Sequence, residues 1–337
     1  DTLTGGLGDD TFIGGTGDDQ INVSAGGGSD TITGGEDVDG LDIDTLTLSD
    51  NNGPEGVTMT LTGDEEGTYS YPTDGGTGTF AEIERIETTD QNDTVDMSGD
   101  TNGATVATNA GDDSIIGSAG NDSIDAGQGA DTVEGGAGDD AIALGEDSPG
   151  VTDGDADVLI LQDGFGNDTV TQFDAPIDNG DGTFTGIDTL DVTNLLDAGG
   201  DPVNTNDVNV TDDGSGNAVL TFPNGETLTL EGIDPVAADD PFYLNAIGIP
   251  LPDGIVSGTS AGELIDANYS GDPDGDFVDA GDAIISGDRA DDDRIHAGDG
   301  DDTVLAGAGN DSIVAGGGSG RVDGGDGDGL IACATSG

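Results

Sequence analysis

Apolar side chains recur at every ninth residue in three stretches of the chain, each of them two positions after an aspartate. The opening stretch stacks as GGLGDDTFI (5–13), GGTGDDQIN (14–22) and AGGGSDTIT (25–33). Position eight is the one consistently apolar column, and polar residues flank it, so each unit predicts a short β-strand. One such unit cannot bury its single apolar side chain, whereas stacked units can.

The sixth position of each unit is an aspartate in all three stretches. These aspartates are Asp1, Asp10, Asp19, Asp30 and Asp39; Asp113, Asp122, Asp131 and Asp140; and Asp293, Asp302 and Asp311. The last two copies, 315–323 and 324–332, carry Gly320 and Gly329 at that position. We therefore expect the final two turns to bind metal poorly or not at all.

The residue types of the repeat favour a calcium site. Glycines allow the backbone to turn tightly and to direct carbonyl groups inward, and the aspartate adds a carboxylate. Ca²⁺ takes six to eight such oxygen ligands, whereas Mg²⁺ requires a stricter octahedron, and the usual zinc and copper ligand sets need Cys or His. The alternative is a flexible acidic linker, but a linker has no reason to hold Ile or Val in a nine-residue register.

The pattern G-G-x-G-x-D-x-U-x resembles the RTX (haemolysin-type) calcium-binding repeats. The resemblance implies an all-β fold, a calcium-bound parallel β-roll in which two nonapeptides make one turn. Each Ca²⁺ is then expected between one loop and the loop two repeats later. The implied pairs are Asp1/Asp19, Asp10/Asp30, Asp19/Asp39, Asp113/Asp131, Asp122/Asp140 and Asp293/Asp311.

The same resemblance implies that backbone carbonyls complete each site. They come from positions two and four of the first loop and from positions one and three of the second. The residues concerned are Gly6, Gly8, Gly15, Gly17, Ala25, Gly27, Gly34, Glu36, Asn109, Gly111, Ser118, Gly120, Ala126, Gln128, Gly135, Ala137, Gly298, Gly300, Ala306 and Ala308.

The repeats and the segments between them predict five parts. These are a first RTX β-roll (1–49), an antiparallel strand insert (50–90), a second roll (91–150), a β-rich capping or insert region (151–250) and a third roll (251–337). In the insert, Ile83-Glu84-Arg85-Ile86 resembles the strand that leads back into the roll in many RTX proteins. Residues 151–250 resemble the segment that caps the roll in serralysin-type proteases.

Three short motifs fall outside the repeat. Residues 272–276 (DPDGD) place carboxylates at positions one, three and five, as an EF-hand loop does, but the glycine is misplaced, so a solvated acidic turn is the alternative. Residues 178–182 (DNGDG) read as a hairpin tip. Residues 333–337 (CATSG), which begin with Cys333, weakly resemble the start of the Hint self-processing domains. The alternative is a frayed terminus with a free thiol.

The amino-acid composition gives the chain a large negative charge. Asp and Glu total 73 against four arginines, for a net charge of −69. Nucleic acid and anionic membranes would be repelled, and a chain of this charge and low hydrophobicity is expected to be disordered unless its acid is neutralised. No apolar run approaches the ~20 residues of a membrane-spanning helix. The chain opens inside a repeat and without Met, as a fragment would.

The sequence does not predict an enzyme. A zincin needs two histidines in H-E-x-x-H, and this chain has only His296. A glycosidase dyad cannot be excluded by counting carboxylates, but such sites use aromatic platforms, and aromatic residues make up 4% of the chain.

The favoured hypothesis is a secreted bacterial calcium-binding β-roll, a non-catalytic structural or stalk module, which the resemblance associates with type I secretion. A second hypothesis is a subunit of a calcium-dependent surface layer, filament or adhesin that self-associates or contacts the cell surface. A third is the RTX part of a larger secreted enzyme whose catalytic domain lies outside this chain. Ice binding by the Thr/Ser column is weaker because that column varies.

Overall fold

The computed structural model describes residues 1–26, 28–36, 42–50, 56–72, 75–145, 154–197, 202–252, 254–269, 271–272, 276–279, 289 and 291–332. The chain divides into two compact units. The amino-terminal unit contains residues 1–195 and 208–249, and the carboxy-terminal unit contains residues 196–207 and 250–337.

The strands in the first half of the chain are only three to six residues long, because each repeat supplies one apolar residue between two polar ones. They are β1 (Thr2–Thr4), β2 (Thr11–Ile13), β3 (Gln20–Ser24), β4 (Ser29–Thr33), β5 (Thr45–Ser49), β6 (Thr58–Gly63), β7 (Glu66–Ser70), β8 (Thr77–Ala81), β9 (Arg85–Glu87), β10 (Thr94–Asp96), β11 (Thr105–Ala107), β12 (Ser114–Ile116), β13 (Ser123–Asp125), β14 (Thr132–Glu134) and β15 (Ala141–Ala143).

Successive strands alternate between two sheets. One sheet runs β1-β3-β5-β9-β11-β13-β15, and the other contains β2, β4, β10, β12 and β14. Neighbours are parallel and keep apolar residues in register, as in Ile124 opposite Ile142. Two nonapeptides therefore make one turn, and the predicted parallel β-roll is confirmed.

The core of the roll is the apolar column itself. Ile115, Ile124, Val133 and Ile142 are at most 2% exposed. Each side chain contributes about 2 kcal/mol of burial free energy, and stacking extends this core along the roll.

The insert between the first two repeat blocks is antiparallel, as predicted, but it is part of a sheet and not a decoration outside it. The order β4-β8-β7-β6-β10 places the three insert strands within the same sheet as the repeats. Strands β6, β7 and β8 pair antiparallel with one another, while β8 joins β4 and β6 joins β10 in parallel. Met59, Tyr69 and Phe80 fill the core column.

The roll continues beyond the second repeat block. Strands β16 (Val158–Gln162), β17 (Asn167–Thr171), β18 (Ile177–Asp178), β19 (Phe184–Thr185), β20 (Thr189–Asn194), β21 (Asn209–Asp212), β22 (Ala218–Thr221) and β23 (Thr227–Leu230) precede α1 (Pro235–Ala238) and α2 (Pro241–Ala246). Strands β16 and β20 extend one sheet, and β17 and β23 extend the other, all in parallel. Strands β22 and β21 then add antiparallel to β23 and end the sheet.

The carboxy-terminal unit is a shorter roll with two parallel sheets. Its strands are β24 (Val256–Ser257), β25 (Leu264–Ile265), β26 (Arg294–His296), β27 (Thr303–Leu305), β28 (Ser312–Val314), β29 (Arg321–Asp323) and β30 (Leu330–Ala332). One sheet is β24-β26-β28-β30 and the other is β25-β27-β29. Val256, Ile265, Ile295, Val304 and Ile313 form its core. The five-part division of the chain stays a prediction.

Candidate metal centres

An acidic residue stands directly before the first or second residue of most roll strands, so stacking the strands also stacks the carboxylates. We call the acids along the sheet that contains β3 the first carboxylate row: Asp19, Asp44, Glu84, Asp122, Asp140 and Asp168. The second carboxylate row, along the other sheet, contains Asp10, Asp30, Asp93, Asp113, Asp131, Asp157 and Asp188.

Within a row, the backbone N–H of most members donates to a carboxylate oxygen of the next member, usually Oδ1 of an aspartate. The Asp113 N–H reaches Asp131 Oδ1 at 2.8 Å, the Asp131 N–H reaches Asp157 Oδ1 at 2.8 Å, and the Asp122 N–H reaches Asp140 Oδ1 at 2.8 Å. These bonds fix the rotamer of each carboxylate. The second oxygen, Oδ2, takes no part in these bonds.

Several of these second oxygens are buried and have no hydrogen-bond partner. They are Oδ2 of Asp44, Asp113, Asp131 and Asp140 and, at the equivalent places of the carboxy-terminal unit, Oδ2 of Asp302 and Asp311. A buried carboxylate oxygen without a partner has a large free-energy cost. The donor set is oxygen only, which fits Ca²⁺, so the row residues fit the metal that the repeat implies.

Burial also raises the pKa of the row carboxyls. Loss of hydration raises the pKa of Asp131 to about 8, and the neighbouring carboxylates of Asp113 and Asp157 contribute. The same cause raises the pKa of Asp113 to about 7 and that of Asp140 to about 6. Without a cation, these groups therefore compete for protons near neutral pH.

Five of the six predicted aspartate pairs lie on neighbouring turns. Asp10 N–H donates to Asp30 Oδ1 at 3.0 Å, and Asp293 N–H donates to Asp311 Oδ1 at 3.1 Å. The Asp113/Asp131 and Asp122/Asp140 pairs are bonded in the same way. For Asp1/Asp19 the link is through the backbone, since the Gln20 N–H donates to the Asp1 carbonyl at 2.9 Å.

The sixth predicted pair, Asp19/Asp39, involves a residue outside the described part of the chain, as does the predicted carbonyl of Gly27. In the structure, the Asp19 N–H donates to Asp44 Oδ1 at 2.8 Å. Asp44 thus occupies the place next to Asp19 in the first carboxylate row.

Predicted carbonyl ligands lie in the loops, where some also hold neighbouring loops together. The Asn109 carbonyl accepts the Gln128 N–H at 2.8 Å, and the Gln128 carbonyl accepts the Gly111 N–H at 2.8 Å. A carbonyl oxygen has two lone pairs, so such a bond leaves one available. The assignment of individual carbonyls to ions stays a prediction.

Glycine is required where two loops approach each other. A Cβ added to Gly127 would lie 1.9 Å from the Asn109 carbonyl oxygen, and one added to Gly135 would lie 2.7 Å from Asp140 Oδ2. The φ angle of Gly127 is +90°, which L side chains rarely adopt. Because Gly135 has no side chain, the space beside the Asp140 carboxylate stays open.

Side chains at position five of the repeat, next to the row aspartate, form a second series of hydrogen bonds. In this series the N–H of the later turn donates to the side chain of the earlier turn. The Ala130 N–H donates to Asp112 Oδ1 at 3.1 Å, and the Asn310 N–H donates to Asp292 Oδ1 at 2.7 Å. Asn121 plays the same part for the Asp139 N–H. These acids are more than a solvated surface, because they bind the loop of the next turn.

The nonapeptide frame missed several members of the rows. They share an apolar residue two positions later and lie at the beginning of a strand or directly before it: Asp44, Glu84, Asp93, Asp157, Asp168, Asp188 and Glu263. Glu263 N–H donates to Asp302 Oδ1 at 3.0 Å, so it continues the row of the carboxy-terminal unit. The shorter signal D/E-x-U, without the glycines, would have found them.

Hydroxyl groups donate an additional hydrogen bond to three row carboxylates. Tyr69 donates to Asp30 Oδ2 at 2.8 Å, Ser118 donates to Asp122 Oδ1 at 2.8 Å, and Thr89 donates to Asp93 Oδ1 at 2.8 Å. Beside Asp30 the next row position is Gly78, against which the Tyr69 ring packs. In these three carboxylates, at least one oxygen therefore accepts a hydrogen bond from a side-chain hydroxyl group.

The minor motifs have local explanations in the structure. Asp178–Gly182 forms the predicted hairpin tip between β18 and β19. Residues 273–275 of the EF-hand-like segment and Cys333 lie outside the described residues. Asp272 Oδ2 accepts the Asp276 N–H at 2.9 Å.

Two features of the sequence could suggest catalysis, namely His296 and a G-x-S-x-G pentapeptide. His296 is exposed on β26. Residues 258–262 (GTSAG) have the G-x-S-x-G spacing of a nucleophile elbow. That elbow connects a strand to a helix, whereas these residues form the repeat loop before β25. None of the described helices is long and apolar enough to cross a membrane.

Comparison with known proteins agrees with this geometry. The family described as "RTX calcium-binding nonapeptide repeat (4 copies)" matches residues 1–26, 22–42, 108–142, 289–322 and 296–331. These segments are therefore RTX calcium-binding repeats. A search of curated proteins found no match.

Among solved structures, the chain is similar to the extracellular lipase LipA from Serratia marcescens, with 16% sequence identity and a TM-score of 0.21. The match covers 69% of this chain and 38% of the lipase chain. The chain thus spans well under half of the length of that protein.

Proposed function

We propose that this chain is a calcium-folded β-roll that serves as a non-catalytic structural or stalk module of a secreted bacterial protein. The observation that carries the proposal is the set of buried carboxylate oxygens without partners in the two rows. The RTX repeats bind calcium as a family, and a hard cation between successive turns would satisfy these oxygens.

Charge provides the switch between an unfolded and a folded chain. With a net charge of −69, the chain repels itself wherever calcium is scarce, as in the cytosol, and remains extended for export. Outside the cell, each ion present at ten times its dissociation constant adds about 1.4 kcal/mol of stability. Several sites together exceed the stability of a typical domain.

The test is circular dichroism of the purified chain in EGTA, then with excess Ca²⁺ and, separately, with excess Mg²⁺. We expect the β-type spectrum to be lost in EGTA and to return with Ca²⁺ only. A spectrum that is unchanged in EGTA, or that Mg²⁺ restores equally well, would overturn the proposal.

Two variants with the same change of charge test whether calcium-dependent folding requires the carboxylate rows. Asp131→Asn alters a buried row position, and Asp90→Asn alters an exposed one. We expect Asp131→Asn to raise the calcium concentration needed for folding and Asp90→Asn to leave it within twofold of the parent value. Equal midpoints for both variants would contradict a role for the row.

A further inference from the structure

Three loops close onto their own acid through a hydroxyl residue at position two, four residues before the acid. We call loops 88–93, 117–122 and 258–263 the closed loops, and their pairs of hydroxyl residue and acid are Thr89/Asp93, Ser118/Asp122 and Thr259/Glu263. In each pair the N–H donates to one carboxylate oxygen and the hydroxyl donates to the other. For Ser118 these bonds measure 2.6 Å to Asp122 Oδ2 and 2.8 Å to Asp122 Oδ1. Both oxygens of each acid therefore accept a hydrogen bond from their own loop.

The backbone at position two also differs between the closed loops and the ordinary repeat loops. In ordinary loops this residue lies in the left-handed region, as at Gly127 (φ +90°) and Gly136 (φ +96°), whereas the φ angles of the three hydroxyl residues are negative. A residue with a side chain avoids the left-handed region, so serine or threonine favours the closed conformation. Glycine can close a loop as well, since the Gly6 N–H donates to Asp10 Oδ2 at 3.0 Å. The hydroxyl adds the second donor.

The closed loops occur where no acid precedes theirs in the row. Strand pairing places Ala104 before Asp122 and Val57 before Asp93. The N–H groups of Ala104 and Val57 donate to Oδ1 of these acids at 2.7 and 2.5 Å, but neither residue offers a carboxylate. Glu263 stands directly before β25, which is an edge strand among the described strands of its sheet. An ion on the amino-terminal side of these acids would therefore lack one of its carboxylate ligands.

The acids with a buried, unpartnered Oδ2 atom show the opposite arrangement, because each of them follows another acid in its row. These successions are Asp19 to Asp44, Asp93 to Asp113, Asp113 to Asp131, Asp122 to Asp140, Glu263 to Asp302 and Asp293 to Asp311. An oxygen-ligated cation between two turns can use carboxylates from both of them. Position-two hydroxyls and unpartnered oxygens thus fall on different acids, and a preceding acid distinguishes the two cases.

We propose that a position-two hydroxyl replaces the cation where the row has no preceding acid, so that the closed loops are metal-free turns from which a run of calcium sites begins. The hydroxyl residue acts through the acid that it holds, as Ser118 does through Asp122, and is a positioning residue. The Asp122 N–H then donates to Asp140 Oδ1 at 2.8 Å, and the next turn stacks on a carboxylate of fixed geometry. The inference rests on the proposed function, because it specifies which turns bind calcium.

The first experiment tests whether the hydroxyl excludes an ion, with Ala104→Asp, Ser118→Gly and the double variant in the full chain. Calcium bound per chain is measured at saturating Ca²⁺ by equilibrium dialysis and elemental analysis. We expect both single variants to bind as many ions as the parent, because Ala104→Asp leaves the hydroxyl in place and Ser118→Gly supplies no preceding acid. The double variant should bind one ion more. An additional ion in Ala104→Asp alone would overturn the proposal.

A second experiment does not depend on whether an aspartate fits at position 104. It compares Thr259→Gly with Ser260→Gly, which removes the exposed neighbouring hydroxyl of the same loop. Amide hydrogen exchange of β25 and β27 is followed through a calcium titration. We expect Thr259→Gly to need at least twofold more Ca²⁺ for protection, because its loop has lost a donor to Glu263. Ser260→Gly should match the parent, and so should Thr259→Ser, which keeps the hydroxyl.

A double variant without an additional ion, together with equal calcium midpoints for Thr259→Gly and Ser260→Gly, would also overturn the proposal. Those results leave the proposed function standing if the parent chain unfolds in EGTA and refolds with Ca²⁺. A parent chain that keeps its fold in EGTA would instead refute the proposed function.

Discussion

The middle of the amino-terminal unit and the end of the carboxy-terminal unit share one nine-residue frame but differ at its sixth position. We call residues 108–143 the central stack and residues 315–332 the terminal turns. The central stack has an aspartate in every copy, whereas the terminal turns have Gly320 and Gly329. Strands β29 and β30 nevertheless form, and the Arg321 N–H donates to the Asp302 carbonyl at 2.7 Å.

The two regions also differ in burial. Ile124 in the central stack is 2% exposed, whereas Ile331 in the terminal turns is 46% exposed. The comparison teaches that glycine turns and an apolar column can continue the roll at turns where the sixth position is not an acid. The aspartates add the carboxylate rows and, with them, the dependence on a cation.

Calcium removal should produce the largest difference in amide exchange between the central stack and the terminal turns. In EGTA, amides of β12–β15 should exchange at least a hundredfold faster than in Ca²⁺, because several ions of about 1.4 kcal/mol each are lost together. Amides of β29 and β30 should change least, since their turns lack the row aspartate. Hydrogen exchange with mass spectrometry measures both regions in one sample. Equal sensitivity of the two regions would break the comparison.

Acid should partly replace calcium in the central stack. Burial raises the pKa of Asp131 to about 8, of Asp113 to about 7 and of Asp140 to about 6. A carboxyl whose folded pKa is raised favours folding below its unfolded pKa near 4, and that stability is lost as pH rises through the folded value.

The calcium-free chain should therefore gain stability between pH 8 and pH 5. A tenfold change in the acidity constant of each of these three groups corresponds to about 4 kcal/mol. Circular dichroism in EGTA at the two pH values measures the folded fraction that acid restores, with the calcium-loaded chain as control. Greater stability of the calcium-free chain at pH 8 than at pH 5 would contradict the assignment of these carboxyls.

Truncation of the apolar column should cost more in the central stack than in the terminal turns. Ile124→Ala should lower the free energy of unfolding in Ca²⁺ by about 3 kcal/mol, because it opens a cavity in a packed core. Val322→Ala, at a half-buried position, should cost about 1 kcal/mol or less. Chemical denaturation followed by circular dichroism tests both. Similar losses would show that the terminal turns are as well packed as the central stack.

The smallest expected effect comes from restoring an aspartate to the terminal turns. Gly320→Asp would offer the Asp302 N–H a carboxylate acceptor, as Asp140 does for Asp122. One added ion should stabilise the unit by about 1.4 kcal/mol at ten times its dissociation constant. The new Cβ would lie 2.8 Å from the Asp302 carbonyl oxygen, so the turn must open slightly. Elemental analysis should find one more ion per chain, and an unchanged count would contradict the prediction.

Much of the fold could be predicted because the repeat is local. The triplet of an acid, any residue and an apolar residue marks the beginning of a roll strand, and two nine-residue units place its neighbour one turn later in the same row. The nonapeptide frame therefore identified Asp113 and Asp131, and likewise Asp122 and Asp140, as neighbours. It failed wherever the loop lengthened, as between Asp19 and Asp44 or between Asp140 and Asp168, whose carboxylate accepts the Asp140 N–H at 3.0 Å.

The sequence by itself determined the nine-residue frame, the identity of the core column, the oxygen-only chemistry and the parallel roll, because each depends on residues a few positions apart. Only the tertiary structure decided which carboxylates face each other across long connections and which acids have no acid before them in their row. Strand pairing is set by backbone hydrogen bonds in the sheet and tolerates loops of any length between the strands. Spacing in the sequence therefore predicts neighbours only while the loops remain short.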